Sequence, residues 1–431
     1  MLSSLIAPML RRRDIHYGWV VVAATFLTMI VAAGAAGAPG VFIVPLEKEF
    51  GWTTAEISSA LAVRFLLFGL MGPFAATFMN RFGIRRMVLI ALTIVVSGML
   101  LSLGMSHIWQ LMVLWGFVIG IGTGLTAVVL GATVAARWFT ERRGLVVGML
   151  SASSATGQLI FLPSLAAATQ AYGWRIALLG VVGMMVVAAI GVVLLMRDRP
   201  ADLGLAPYGE TQIVPTPAIQ GGLGTLLVSP LKALVEASGS WTFWALFLTF
   251  FVCGLSTNGL IQTHFVSLCG DYGLAPVAAA GVLAMMGFFD FFGTVGSGWL
   301  SDRYDNRWLL FWYYGLRGLS LIYLPFTDFS VYGLTIFAVF YGLDWLATVP
   351  PTVKLAAQRF GREKVNVIFG WVFAGHQTGS AIAAYGAGLT RTEYQSYLPA
   401  FFGAGLVCLA AAMLALTIGR IGRARPIPAA A

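Results

Sequence analysis

The chain of 431 residues is strongly apolar: 59% of its residues are hydrophobic, 10% are charged, and its mean hydropathy is +0.86. Because soluble domains carry about 25% charged residues, this composition excludes a soluble globular protein. Apolar runs recur along the whole sequence, and each is long enough to cross roughly 30 Å of hydrocarbon as a helix. The runs lack strict two-residue alternation, so helices and not barrel strands are expected.

The pattern predicts an all-α membrane protein with twelve transmembrane helices in two six-helix bundles. Residues 1–196 form the first predicted bundle, residues 241–431 form the second, and residues 197–240 are a polar linker rich in Gly and Pro. In chain order the predicted spans are residues 18–44, 54–78, 87–105, 109–136, 145–170, 174–196, 242–268, 276–300, 308–325, 331–353, 366–390 and 397–418.

The basic residues fix the predicted orientation. A net charge of +9 could suit a nucleic-acid-binding protein, but the basic residues stand in short clusters between apolar runs, as cytoplasmic loops do. Of the 26 Lys and Arg residues, 21 lie on one side of the predicted topology; the exceptions are Lys48, Arg64, Arg175, Arg317 and Arg391. We therefore expect the linker and both termini to be cytoplasmic, with no nucleic-acid partner.

The two halves of the sequence repeat at a constant offset of 222 residues, computed from the paired positions. Parallel repeats of six spans are the architecture in which a central cavity lies between two rocking halves. The repeat therefore favours a transporter that works by alternating access. The matching positions are Phe50-Gly51 with Tyr272-Gly273, Asn80-Arg81 with Asp302-Arg303, Arg137 with Arg359, Arg142 with Lys364, and Gly148 with Gly370.

One loop sequence occurs twice and resembles the loop motif of the major facilitator superfamily. The first copy begins at Gly72-Pro73 and continues through Asn80 to Arg86, and the second runs from Gly298 to Arg303. The resemblance implies a conformational latch that holds the cytoplasmic helix ends together in one conformer. Asn80 stands where the family has Asp, so the charge-assisted part of the first latch should be weaker. The latch residues are Asn80, Arg81, Arg85, Asp302 and Arg303.

Further motifs resemble the monocarboxylate porter and oxalate:formate antiporter branch of that superfamily, over nearly the whole chain. The resemblance implies a small organic anion as the solute. The porters carry a lysine in span one, where this chain has only Ala and Gly around Ala36 and Gly37. They also carry an Asp followed four residues later by an Arg in span eight; here Asp290 is kept and Thr294 stands at the arginine position. The anion therefore needs another counter-charge. The motifs are Tyr17-Gly18-Trp19, Gly40-Val41-Phe42, Glu49-Phe50-Gly51-Trp52, Arg137-Trp138-Phe139 and Arg142-Arg143-Gly144.

Ionisable residues inside the spans are functional candidates because a charge in the bilayer needs a partner or a cavity. Arg64 lies near the midplane of span two and either grips a carboxylate as a bidentate fork or ties helices together through a backbone carbonyl or Asp290. Asp344 and then Asp290 are the predicted proton-coupling residues, since a desolvated carboxylate is more easily protonated. Pairing with Arg64 or Arg317 is the alternative, and the two roles are compatible.

Uncharged polar residues and one histidine complete the predicted solute site. Asn258 and Gln262 share one helical face of span seven and either line the path or join helices. His376 and Gln377 either contact the solute and protons or only form hydrogen bonds. The predicted substrate-binding residues are Arg64, Asn258, Gln262, Tyr341, His376 and Gln377. No metal or cofactor is expected, and Cys253, Cys269 and Cys408 are predicted packing residues.

The sequence thus predicts a proton-coupled symporter of a small organic anion, a monocarboxylate. The alternative is an antiporter or efflux carrier of an amphipathic or drug-like compound, which the 13% aromatic content would suit. Zinc-protease, nucleophile-elbow and phosphate-loop motifs are missing from the sequence, so an enzyme is not expected. We expect a monomer in a cell membrane, the bacterial inner membrane, with a small-molecule solute, protons and the lipid bilayer as its partners.

The topology can be tested with reporter domains fused after Pro200 and after Arg425. We expect both fusions to report a cytoplasmic position, because 21 of the 26 basic residues lie on that side. A signal from the opposite side of the membrane at either point would contradict the twelve-span topology.

Overall fold

The computed structural model describes residues 2–213, 223–361 and 364–419, and these are almost entirely helical. The position after Arg425 and residues 214–222 of the linker lie outside the described residues. In chain order the helices are α1 (Leu2–Arg11), α2 (Gly18–Phe50), α3 (Thr54–Phe82), α4 (Ile84–Ser102), α5 (Ile108–Gly124), α6 (Ala127–Trp138), α7 (Arg143–Tyr172), α8 (Trp174–Leu195), α9 (Leu223–Ser238), α10 (Trp241–Asp271), α11 (Pro276–Arg303), α12 (Asn306–Tyr323), α13 (Val331–Asp344), α14 (Val349–Phe360), α15 (Val365–Tyr394) and α16 (Leu398–Ala415).

All twelve predicted spans coincide with these helices, so the predicted all-α fold is confirmed. In the described part of the chain, eight helices are long and apolar enough to cross a membrane by length and composition, and α5 is a shorter apolar helix. The fourth and tenth spans are each divided between two helices, α5 with α6 and α13 with α14. The linker is less irregular than its composition suggests, because it contains the 16-residue helix α9.

Local sequence signals set the start of α3 and of α4. The hydroxyl of Thr53 accepts the N–H of Glu56, and the Glu56 carboxylate accepts the N–H of Thr53 at 2.8 Å, which closes a capping box at α3. Between the two helices, Gly83 has a φ of 89°, a conformation that suits glycine. The carboxylate of Asp198, which follows α8 in the chain, accepts the N–H of Arg85 at 2.8 Å and so caps the start of α4.

The N-terminal half (α2 to α8) and the C-terminal half (α10 to α16) meet along three helix pairs: α3 with α15, α7 with α11, and α2 with α10. Small residues bring the first pair together at both ends and in the middle. Gly388 lies against Ser58, Gly69 against Gln377, and Gly370 against the backbone of Pro73. The two halves are therefore closed against each other along the whole α3–α15 seam.

Helices α10 and α15 of the C-terminal half approach even more closely. A Cβ atom added at Gly254 would overlap the backbone carbonyl of His376, and one added at Gly379 would overlap the carbonyl of Phe251. Only glycine permits this backbone separation. The middle of α10, Leu255–Gln262, is π-helical, a local widening that is often found at functional sites.

Replacement of Gly254 by Ala should therefore destabilise the protein by about 1–3 kcal/mol, the usual range for overpacking. The thermal midpoint of the purified protein in detergent measures this loss. Gly281→Ala on α11 is the matched control, because no atom lies within 4 Å of its added Cβ. An equal midpoint for the two variants would contradict the close packing of α10 on α15.

Candidate functional site

Arg64 is buried in α3, and its side chain points into the N-terminal half. It is 4% exposed, and its Nη2 donates to the carbonyl oxygen of Ala36 on α2 at 3.0 Å. Its guanidinium also lies 5.7 Å from the ring centre of Phe65. Among the described residues no carboxylate lies within ion-pair distance of Arg64. The sequence left two roles open for Arg64, an interhelical tether and an anion grip. The contact with Ala36 is such a tether, and the anion grip stays a prediction.

A small cavity lies beside the Arg64 side chain. Its volume is about 10 Å³, which is close to the space that one water molecule needs. Apolar side chains form nearly all of its wall, so Arg64 is the charged group that faces it. Helices α2, α3, α4, α5 and α8 contribute the lining residues Ala35, Ala38, Pro39, Arg64, Met99, Trp115, Ile119 and Leu178.

Arg317 is the second buried arginine, and it is fully engaged. Its Nε donates to the Asp344 carboxylate at 2.5 Å, and its Nη2 donates to the backbone carbonyls of Asp344 and Trp345. Its Nη1 reaches the sulfur of Cys253 and the hydroxyl of Ser256 on α10. Arg317 therefore joins α10, α12 and the end of α13 through a buried, hydrogen-bonded ion pair.

The helix is broken between α13 and α14, and the backbone groups freed there form hydrogen bonds with neighbouring side chains. Asp290 on α11 accepts the N–H of Leu346 at 2.9 Å, and the hydroxyl of Ser297 donates to the Ala347 carbonyl. Asp290 also accepts the hydroxyl of Thr294 at 2.9 Å. The recorded partners of Asp290 are thus neutral, whereas Asp344 has a cation. The other carboxylate oxygen of Asp344, Oδ1, is buried and has no hydrogen-bond partner among the described residues.

Two other predicted site residues, Tyr341 and His376, lie inside the C-terminal half. Tyr341 is 1% exposed, and its hydroxyl donates to the Ser256 carbonyl at 2.8 Å. The His376 ring packs between Phe250 and Phe373, and its Nδ1 has no partner among the described residues. These partners all belong to the C-terminal half.

Gln262 and Gln377 lie where the halves meet. The Gln262 amide lies beside Gly37 of α2, and Gln377 is fully buried against Gly69 of α3. Neither the oxygen nor the nitrogen of the Gln377 amide has a hydrogen-bond partner in the described part of the chain. Asn258 is half-buried in the π-helical part of α10. The structure thus brings Gln262 and Gln377 to the interface and leaves Arg64 and Asp290 in separate halves.

Each of the two predicted latch sequences contacts a cation of its own half, although Lys354 is not the repeat equivalent of Arg137. The Asn80 side-chain oxygen accepts Nη2 of Arg137, at the end of α6, at 2.8 Å. In the second copy Asp302 pairs with Lys354, in the middle of α14, at 3.0 Å. Each acceptor therefore meets a cation from the fourth span of its own half. The first copy keeps the hydrogen bond and lacks the ion pair, because asparagine is neutral.

Two of the other latch arginines, Arg85 and Arg303, bind backbone carbonyls. Arg85 donates to the Val193 carbonyl at 2.8 Å, and Arg303 stacks on Trp299 while donating to its carbonyl. Arg81 also has a partner. These contacts place all five predicted latch residues at helix ends.

Sequence reasoning missed the partners that organise these sites. Arg137 stood out only through a family motif and the repeat, Lys354 counted only as a charge on the cytoplasmic side, and Asp198 was given no role. Ser297 and Thr294 look like ordinary helix residues, yet both serve the region of the helix break. The available signal was position: Asp290, Thr294 and Ser297 recur at spacings that put them on one face of α11. Within the described residues, no group of three or more His, Cys, Asp and Glu could hold a metal.

Comparisons with known proteins agree with this architecture. A model of the Major Facilitator Superfamily matches residues 25–384 and 271–430. Monocarboxylate transporter 13 of Bos taurus is 26% identical over 410 residues, which is 94% of this chain and 90% of the relative. The fold is also that of the D-xylose-proton symporter, with a TM-score of 0.72 at 12% identity, over 93% of this chain and 98% of that one.

A second solved structure has the same fold: a bacterial homolog of the human lysosomal transporter Spinster, in an inward-facing and occupied conformation. Its TM-score is 0.73 at 16% identity, and the alignment covers 95% of this chain and 99% of that one. The resemblance to the monocarboxylate branch is thus supported by sequence and the twelve-helix fold by structure. Because the superfamily match covers most of its length, this protein belongs to the Major Facilitator Superfamily and is a multi-pass membrane transporter of a solute, not an enzyme.

Proposed function

We propose that the protein takes up a small organic anion, a monocarboxylate, together with a proton by alternating access. The observation that carries the proposal is the buried guanidinium of Arg64, which has no acidic partner among the described residues. A buried charge is normally paired, because desolvation without a counter-charge costs several kcal/mol. A transported carboxylate would supply the missing charge and accept two parallel hydrogen bonds.

Arg64 can meet a solute only if its surroundings widen. The adjacent cavity of about 10 Å³ has room for roughly one water molecule and not for a carboxylate. The present partner of Arg64 is a single neutral carbonyl on α2, a helix that also contacts α10 of the other half. A rocking motion that moves α2 away from α3 would break this one bond and open the space in which the anion binds.

The interface amides would complete the solute site. Gln377 is buried with both of its amide atoms unpaired, and this arrangement is costly unless another conformer satisfies them. Separation of α3 from α15 would expose this amide to water or to the solute. Gln262 and Asn258 would contribute from α10, while Tyr341 and His376 would stay behind them as supporting residues.

Proton coupling is assigned to Asp290 and Asp344. The sequence put Asp344 first. Asp344 has the cation Arg317 at 2.5 Å, whereas the hydrogen-bond partners of Asp290 are neutral, and this difference supports Asp290 as the first choice. Protonation of Asp290 would remove a buried charge whose hydrogen-bond partners, Thr294 and Leu346, are neutral. Protonation of Asp344 would instead leave Arg317 without its partner, so Asp290 is proposed as the main proton site and Asp344 as its coupled neighbour.

The remaining assignments complete the proposed carrier. Residues 1–196 and 241–431 are the two moving bundles, and residues 197–240 connect them. Both termini face the cytoplasm of a bacterial inner membrane, the monomer is the transporting unit, and the Asn80 and Asp302 loops act as conformational latches. The positive-inside distribution of basic residues supports this orientation.

The proton assignment predicts that Asp290→Asn abolishes solute accumulation driven by a proton gradient but preserves solute exchange. A neutral amide cannot be charged and discharged, but exchange requires only that loaded carriers reorient. Counterflow and gradient-driven uptake in proteoliposomes measure the two processes. Asp344→Asn is the matched comparison and should reduce gradient-driven accumulation of the solute less than Asp290→Asn does. If Asp290→Asn still accumulates solute against its gradient while Asp344→Asn does not, the proton site is Asp344.

The anion assignment predicts that Arg64→Lys impairs binding and that Arg64→Ala costs about 2–5 kcal/mol of binding free energy. Lysine keeps the charge but loses the planar fork that a carboxylate binds. Isothermal calorimetry with formate, acetate, pyruvate and lactate measures the affinities, and Arg175→Ala, an exposed arginine, is the control. Unchanged affinity in Arg64→Ala would reject the anion grip. If Arg64→Ala lowers the thermal stability of the protein together with its anion affinity, Arg64 acts as a structural tether.

A further inference from the structure

The linker helix α9 has three distinct faces. Pro230, Leu234 and Ala237 pack against the protein. The exposed polar residues Ser229, Lys232 and Glu236 occupy a second face. The third face is apolar and exposed: Leu227, Leu231 and Val235, spaced four residues apart, are 51%, 45% and 73% exposed, and Val228 adjoins them. Separate apolar and polar faces on one exposed helix are typical of a helix at a membrane surface.

The docked face holds α9 at the end of the α3–α15 seam. The backbone carbonyl of Pro230 accepts the indole N–H of Trp371 on α15 at 2.9 Å. The Trp371 ring in turn packs edge-on against Phe74 of α3 at 5.9 Å. Glu236 forms an ion pair with Lys364, just before α15, at 2.5 Å. The linker helix also contacts α3 directly, so it touches a helix from each half of the transporter.

The depth of this docking places α9 beside the transmembrane helices and not beyond them. Trp371 lies six residues after the start of α15, or about 9 Å along the helix at 1.5 Å per residue. Phe74 lies eight residues before the end of α3, or about 12 Å from it. Pro230 thus stands level with the first turns of α15 and near the last turns of α3, the depth at which a bilayer is expected to change from headgroups to hydrocarbon.

Two of the helices that α9 contacts also carry exposed apolar side chains. Helices α3 and α15 expose large apolar side chains along their lengths, including Leu66 and Leu70 on α3 and Ile382 and Leu389 on α15. In a multi-pass membrane protein such side chains face acyl chains. Lys232, exposed next to Leu231, can extend its charge toward anionic headgroups while its stem stays with the apolar face.

We propose that α9 binds the bilayer leaflet at the linker end of the molecule, inserting Leu227, Leu231 and Val235 among the lipids while its opposite face clamps the α3–α15 seam. The occupant of the exposed apolar face is therefore lipid, and Ser229 on the polar face stays in water. In the proposed orientation this is the cytoplasmic leaflet. The assignment concerns α9 alone and does not depend on the identity of the solute or on proton coupling.

Site-directed spin labelling tests the proposal on the full-length protein. The three native cysteines are buried, so cysteines introduced at Leu231 and Val235 can be labelled selectively. Ser229→Cys, exposed on the polar face of the same helix, is the matched control. The protein is reconstituted in phosphatidylethanolamine–phosphatidylglycerol vesicles at less than one copy per vesicle. Collision rates with oxygen, which concentrates in lipid, and with a water-soluble nickel chelate are then measured.

We expect the labels at 231 and 235 to collide severalfold less with the nickel chelate, and severalfold more with oxygen, than the label at 229. Equal nickel accessibility at all three positions would overturn the proposal. So would protection that appears only at several copies per vesicle, because a second copy would then cover the face. Should Leu231→Cys fail to fold, Val235→Cys gives the same readout from the more exposed position.

Discussion

The C-terminal half depends on hydrogen-bond partners for the backbone groups at a broken helix, in a region where water is scarce. A carbonyl or N–H freed between α13 and α14 costs several kcal/mol in hydrocarbon unless protein supplies a partner. Arg317 on α12 donates to the carbonyls of Asp344 and Trp345. On α11, Asp290 accepts the N–H of Leu346 and Ser297 donates to the Ala347 carbonyl. Two of the side chains that stabilise the break, Arg317 and Asp290, are ionisable, so charge and backbone conformation are linked at this point.

Two arginines at similar depth differ in their partners. Arg317 is enclosed by a carboxylate, two carbonyls, a thiol and a hydroxyl, so its charge is compensated within the fold. Arg64 has one recorded carbonyl partner and a small apolar cavity. A fully compensated charge serves the structure, and adding an anion to it would displace a partner. A charge held by one neutral bond can instead gain from an anion, which is why the proposed solute site centres on α3.

Helix positions were predictable from the sequence, while helix rotations and contacts were not. The bilayer requires long apolar runs, so the twelve spans and the depth of Arg64 follow from length and a rise of 1.5 Å per residue. The direction of the Arg64 side chain depends on how Gly116 and Gly120 of α5 pack against α3, which no single run reveals. The sequence did contain a signal for helix α9, because the apolar residues 227, 231 and 235 are spaced four positions apart. The Gly- and Pro-rich composition around them indicated a loop instead.

Solute binding and seam closure are joined through a single helix. Consecutive residues of α3 face different partners: Phe65 packs against Ala381 and Ala384 of α15, and Arg64 bonds to α2. Because α3 is a continuous helix, it cannot turn or tilt away from α15 without also moving the Arg64 guanidinium relative to Ala36. In the proposed mechanism an anion that pulls Arg64 from Ala36 therefore favours one packing of the seam over another. Such a difference in affinity between two conformers is what alternating access requires, since a ligand shifts an equilibrium only by binding its two states unequally.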